Sequence, residues 1–339
     1  MKLRQFLSNS NVLQNVFRRY VSSVSINVQS LTSIHVKSRD FMETSDNKVK
    51  FTLCDAQQKE IEASKVDSFK VLNTKDAFKL DFDGRHELSL ILELPVESSP
   101  DVCIEIIAGC ANVQVGNLQA KAVDVKLDEG HVGLKNLKSE SIRALTERGD
   151  IKTQSILLGK IIQLNISIEK SQGDNLEVEG TNVVVDSCYS TSNKFKSTRE
   201  AILKNLHANS TIQSSGGKFK LSGFSGTLQA VLDNDDVEIQ LSELYGDSNI
   251  STTNAHAEIK LGLSEKIIKE TDFKLSSHCA IENSINELIV CQFNPNSFKI
   301  NHDGRDSRLK VKIEEGKSLK LSKMSWIDSL KLKSSLPSI

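Results

Sequence analysis

The chain has 339 residues, 38% hydrophobic and 26% charged, with a formal net charge of −1, which is ordinary for a globular protein with a sizeable core. No apolar run approaches the ~20 residues of a membrane-spanning helix. Four prolines and 5% aromatics leave valine, isoleucine and leucine to fill the interior, as strand-rich proteins prefer.

The first 39 residues contain Lys2, Arg4, Arg18, Arg19, Lys37 and Arg39 and no acid; Asp40 is the first carboxylate. A secretory signal needs ~7 to 15 uninterrupted apolar residues, and LRQFLSNSNVLQNVFRRYVSS is broken throughout by polar and basic ones. Leu3, Phe6, Leu7, Leu13, Val16 and Phe17 fall mostly at helical spacing, so residues 1–33 read as an amphipathic, basic targeting leader of mitochondrial type, cut near Tyr20, with the matrix as destination. The rest then carries 39 basic against 44 acidic residues, which argues against a nucleic-acid partner held through phosphates.

Residues 34–106 read as an N-terminal β cap built from IHVKS, VKFTL, AFKLDF and ELSLILELPV. A repeat occupies 107–284. Val113, Val115 and Leu118 alternate and then skip two; Val132, Leu134 and Leu137 repeat this after 19 residues, and Ile151, Thr153 and Ile156 after another 19. The phrases VGNL, LKNL, LKNL, LSGF and LSEL begin at 115, 134, 203, 221 and 241.

Taking the second apolar position as a marker gives Val115, Leu134, Thr153, Val178, Leu203, Leu221, Leu241 and Leu261. The two 25-residue steps around Val178 suggest inserted loops. Each unit also holds a second alternating run, such as Val123 with Val125 or Leu228 with Ala230 and Leu232. Helical repeats, with periods of about 33 residues or more, are excluded.

Strand, bend, strand, bend at this period predicts an all-β chain: a β-solenoid of the parallel β-helix kind, with about eight coils of ~20 residues. Coils stack ~4.8 Å apart with inward aliphatic ladders, and Gly130, Gly149, Gly173, Gly217 and Gly226 sit at turns. REAILKNLHAN at 199–209 looks helical by propensity but carries the repeat phrase, which predicts strand. Residues 285–339, with ELIVCQF, SRLKVKI and the only tryptophan, Trp326, read as a C-terminal β cap and tail, because open solenoid ends need covering.

The passage from ELPVESSPDVCIEIIAGC to LTERGDI, with its proline turn and Gly-Asp-Ile phrase, resembles the adhesin-like domain of unknown function found in bacterial proteins, over about residues 88–263. With the basic leader it looks like the uncharacterised mitochondrial branch of animals. The resemblance implies a β-solenoid and no catalytic residues. Only Gly149-Asp150-Ile151 keeps the full phrase; Gly130-His131-Val132 and Gly217-Lys218-Phe219 lack the aspartate.

No constellation identifies a reaction, and no catalytic, cofactor-binding or metal residue is assigned. Arg148-Gly149-Asp150 reads as a repeat turn rather than an integrin motif. Asp233-Asn234-Asp235-Asp236 lacks the glycine and distal glutamate of a calcium loop. His278, Cys279, Cys291 and His302 match no zinc spacing, and the six cysteines, without any CxxC, read as reduced and mostly buried. The sequons at Asn165, Asn209 and Asn249 matter only in a secreted or surface adhesin-like protein.

A carbohydrate-active enzyme on a parallel β-helix is the rival reading. It needs paired acids and aromatic platforms, and the coils are poor in aromatics. The favoured reading is a non-catalytic scaffold or binding module. Its sheet face, marked by outward Gln114, Lys135 and Lys152 at equivalent positions, meets a protein partner, and self-association could use the same face or the caps.

Overall fold

The computed structural model describes residues 21–39 and 49–324, apart from 75, 86, 96–101, 280, 286–289, 295–296, 301–306 and 315–316. The leader through Tyr20, His302 and Trp326 therefore lie outside the described residues.

The described chain is an all-β solenoid. Strand β1 (Ser23–Ser38) alternates inward Val24, Ile26 and Val28 with outward neighbours, and it is bordered on both sides. After β2 (Lys50–Cys54), β3 (Glu60–Ile61) and β4 (Phe69–Asn73), strands β5 (Ala77–Arg85) and β6 (Ser89–Leu94) run parallel to β1 on one side. Strand β7 (Cys103–Glu129) runs parallel to it on the other. So β1 is an inner layer, whereas β5 and β6 form the outer coil.

This moves two expected boundaries. Residues 23–33 are strand rather than leader, and β1 and the start of β7 belong to the stack rather than to a cap. The true end cover is β4 antiparallel on β5, with β2 antiparallel on β6 and β3 antiparallel on β2. It is sealed by rings: Phe51 packs 5.8 Å from Phe78, and Phe69 packs 5.6 Å from Phe82.

Beyond β7 the coils follow the repeat. Val113 pairs with Val132 of β8 (Val132–Arg148), and Val132 pairs with Ile151 of β9 (Asp150–Ile168), reproducing both 19-residue steps. The third residue of VGNL, of both LKNL phrases and of the equivalent stretch from Thr153 turns the chain through the left-handed region: Asn117, Asn136, Asn205 and Ser155 have φ of 54°, 50°, 48° and 53°. Gly149 closes the coil at φ 148°, where a Cβ would stand 1.9 Å from the Gly130 carbonyl oxygen, so only glycine fits.

The register then departs from the expected markers. The Glu169 amide donates to the Thr153 carbonyl, placing Ile168 on Thr153. Ile168 pairs with Val185 of β10 (Ser171–Val185), Val185 with Leu203 of β11 (Cys188–Lys204), and Leu203 with Leu221 of β13 (Lys218–Asp233). Val178 belongs to the other strand of the coil, between Ile161 and Phe195. There are no 25-residue units with inserted loops; the steps after Thr153 are 15, 17 and 18 residues, giving one coil more than the spacing predicts.

Strand β12 (Leu206–Ser215) confirms that 199–209 is strand. The interior here is partly polar: Ser197 and Ser214 hydroxyls lie 2.7 Å apart, and buried Asn193 donates to Ser210 at 3.3 Å. These pairs satisfy groups whose burial would otherwise cost about 1–3 kcal/mol each. After Leu221 the rung is Ile239 of β14 (Asp236–Leu244), then Leu261 of β16 (Glu258–Leu263). Leu241, expected at that rung, is buried but two residues displaced, pairing with Phe224 and Leu263 across a bulge. Ser222, which strict alternation after the marker Leu221 would turn outward, is buried at 1% exposure in the same bulge.

The far end repeats the arrangement of the near one. Strand β15 (Asp247–Thr252) pairs with β13, and helix α1 (Glu265–Glu270) starts where the Ser264 hydroxyl accepts from the Ile267 amide. Next come β17 (Thr271–Ser277), β18 (Ile281–Asn283), and the antiparallel pair β19 (Val290–Asn294) and β20 (Ser297–Ile300). The chain then returns: β21 (Ser307–Ile313) lies between β15 and β17, and β22 (Ser318–Lys323) between β16 and β18, all parallel. Residues 307–323 are thus an inner coil rather than part of a C-terminal cap.

Candidate functional site

The expected binding face can be located from register alone. His35, Gln114, Gly133 and Lys152 form one row across successive coils, continued by Ser167. Lys37, Gly116, Lys135 and Gln154 form a second row, continued by Glu169. Gln114 and Lys152 are therefore equivalent, as expected, whereas Lys135 is equivalent to Gly116 and lies two residues further along its strand.

These rows line a shallow trough of about 590 Å³. Its floor is low because Gly116 and Gly133 carry no side chain on neighbouring coils. At Gly116 a Cβ would meet the Lys135 carbonyl oxygen at 2.8 Å, so the coils leave no room for one. Around Gly133 the nearest atom would be Gln114 Cγ at 3.6 Å, an ordinary contact.

Charge at the trough is uneven. Lys37 is 3.0 Å from Glu93, which also faces Lys50 at 3.7 Å. The hydrogen bond from Lys37 holds the Glu93 carboxyl below its ordinary value, with added help from the charges of Lys37, Lys50 and Arg39 against the opposing cost of burial. A depressed carboxylate stabilises the fold above its unfolded pKa, and that contribution fades as pH falls through the folded value. Glu93→Gln is therefore expected to flatten the acid limb of stability against pH, as read by melting temperature from neutral pH downward; an unchanged limb would contradict it. His35, at the same end, is pushed down by burial first and by Lys37 second, which favours the neutral imidazole.

At several places elsewhere the coils set opposite charges side by side. Glu177 meets Lys194 at 3.1 Å, Asp186 meets Lys204 at 2.9 Å, and Lys220 meets Glu238 at 3.0 Å. No ion pair joins Lys135 or Lys152 to a described carboxylate, and each is flanked on neighbouring coils by uncharged residues.

The other sequence candidates are structural. Arg148 pairs with Glu129 at 3.2 Å, Gly149 closes the coil, and Asp150 accepts from Asn165 Nδ2 at 3.0 Å. Asn165 in turn accepts from Asn182 Nδ2 at 2.7 Å, forming a column of amides at one corner. In the 233–236 turn, the Asp235 amide donates to the Gly217 carbonyl, and Asp235 accepts from Asn254 Nδ2 at 3.1 Å.

Cys279 is buried with Ser277, and His278 is exposed beside it. Cys291 lies opposite Lys299, which lies opposite Lys274 of β17. That places it two strands over and four residues, roughly 13 Å, short of His278. Among the described residues no three His, Cys, Asp or Glu group as a metal site. Cys54, Cys188 and Cys279 are buried free thiols, but Cys103 and Cys110 are exposed, because they occupy outward positions of β7.

An aromatic column at another corner was not anticipated. The Tyr189 and His207 rings stack at 4.8 Å and 7°, and the Tyr245 hydroxyl donates to Glu243 at 2.8 Å. Hydrogen bonds from Lys266 first, then from Tyr245, hold the Glu243 carboxyl below its ordinary value. That network spends its polar groups internally.

No protein-family model matches the chain, and no curated protein does. Among solved structures it is similar to "a putative cell adhesion protein from Clostridium sporogenes ATCC 15579", at 8% identity over 91% of this chain and 95% of that chain, with a TM-score of 0.18. Likeness at that score carries no argument, so the resemblance to the adhesin-like family stands on the quoted phrases alone.

Proposed function

We propose that the protein is a non-catalytic β-solenoid scaffold that binds a partner protein in the trough between β1 and β9, and that it works in mitochondria. The carrying observation is that two lysines without a carboxylate partner on neighbouring coils, Lys135 and Lys152, border the glycine-floored depression. Localisation is supported by the absence of any acid before Asp40 and by the helical spacing of the apolar residues from Leu3 to Phe17. The non-catalytic reading is supported by the internal use of the polar groups outside the trough, including the Asp150, Asn165 and Asn182 column and the Glu243 network.

One experiment tests both parts. The full chain, carrying a photo-crosslinking residue at Gln154 or, as control, at the exposed Val231 on the other strand of the coil, is expressed in cells and the organelles are fractionated. Recovery with mitochondria and discrete protein adducts from position 154 but not 231 are expected. Recovery in the cytosol or medium would sink the localisation, and matching adducts at both positions would sink the binding face.

A further inference from the structure

We infer that the trough takes an extended acidic segment of a protein, with carboxylates at alternate positions meeting Lys135 and Lys152; this rests on the binding reading above. Like charges side by side on strands are unfavourable, and at several places this solenoid sets opposite charges beside each other coil by coil, as at Glu177 with Lys194 and Lys220 with Glu238. At the trough the neighbours of Lys135 are Gly116 and Gln154, and those of Lys152 are Gly133 and Ser167. An acidic ligand lying across these two coils would place carboxylates beside cations that have none from the coils themselves.

Geometry selects the ligand's form. Lys135 and Lys152 sit on adjacent coils, offset by two residues, so their backbones are roughly 8 Å apart, given ~4.8 Å between coils and ~3.3 Å per residue. Side chains two apart on an extended peptide leave the same face roughly 7 Å apart. The amides of Gln114 and Gln154 stand beside the lysines, where they can meet a peptide's N–H and C=O groups. Lys37 is already engaged by Glu93, and Glu169 closes the far end with a negative charge, so the acidic stretch is confined to the middle coils. Two cations are too few to hold a nucleic acid through phosphates on an otherwise mildly acidic chain.

The test uses the full chain and three labelled hexapeptides, serine alternating with glutamate, with glutamine or with lysine, followed by fluorescence anisotropy at low and high salt. The glutamate peptide is expected to bind, weakening with salt, while the other two do not. Lys135→Glu combined with Lys152→Glu lowers its affinity at least about tenfold and creates binding of the lysine peptide. Gly133→Leu fills the trough and blocks binding with an unchanged melting curve, since the space beside Gly133 admits a side chain. Equal affinity of parent and double variant, tighter binding of an oligonucleotide of matched charge, or no glutamate-peptide binding overturns the inference. If crosslinks from position 154 persist in that case, the binding reading survives without it; if they are lost as well, both fail.

Discussion

Removing residues 301–339 is expected to unravel the C-terminal end of the solenoid, because β21 and β22 form the layer on which β17 and β18 rest. The deletion takes away buried Leu309, Val311, Ile313, Leu319 and Leu321, none above 3% exposed. At about 1.5–3 kcal/mol for each aliphatic side chain, the loss is on the order of 10 kcal/mol. It also strips the facing sides of Ile250, Leu261 and Leu275. Hydrogen exchange gives the readout: amides of β15 to β18 should lose protection while those of β7 and β8 keep it. If the coils were stacked in chain order, β17 would stay protected, and that result would refute the topology.

The second large effect is at Leu134, which is 1% exposed and stacked between Val115 and Thr153. Leu134→Ala is expected to cost about 2–5 kcal/mol, whereas Lys135→Ala, one residue on and facing out, should stay within about 0.5 kcal/mol. Each coil touches only its neighbours, so the damage should first appear as lost protection in β7 and β9. Equal melting shifts for the two variants would contradict the inward and outward assignment.

Where the sequence was readable, one residue in two pointed inward and the bend residue was of a type that accepts positive φ. Both hold for Val113, Val132 and Ile151, and for the asparagines in VGNL and LKNL. Reading failed between Thr153 and Leu203 because both strands of a coil alternate alike, so Val178 on one ladder passes for a rung of the other. Buried Ser171, Ser190, Asn193 and Ser197 further erase the apolar signal there. Leu241 was misplaced because the coil from Leu221 to Ile239 is 18 residues long and the next, to Leu261, is 22, so a fixed step of 20 meets the rung at both ends but not between them.

The binding face was half legible. Alternation put Gln114, Lys135 and Lys152 outward, but the trough arises from glycines on adjacent coils, and their alignment depends on register. Least legible were the inner positions of β1 and of β21 with β22. SRLKVKI announces a strand, yet nothing local names the strands it will lie between.

Those inner positions of the first and last described strands also bear on how such a rod can change length over generations. Duplicating or deleting a coil at either extremity would break a closure that takes two distant stretches of chain: β1 with β5 to β7 at one end, β15 to β18 with β21 and β22 at the other. A whole unit inserted between β7 and β14 meets only a copy of its own neighbours and leaves both closures untouched. Related chains should therefore gain or lose units in the middle while their ends stay constant in layout, and the irregular 15- to 18-residue coils after Thr153 mark the stretch where such changes would be accommodated.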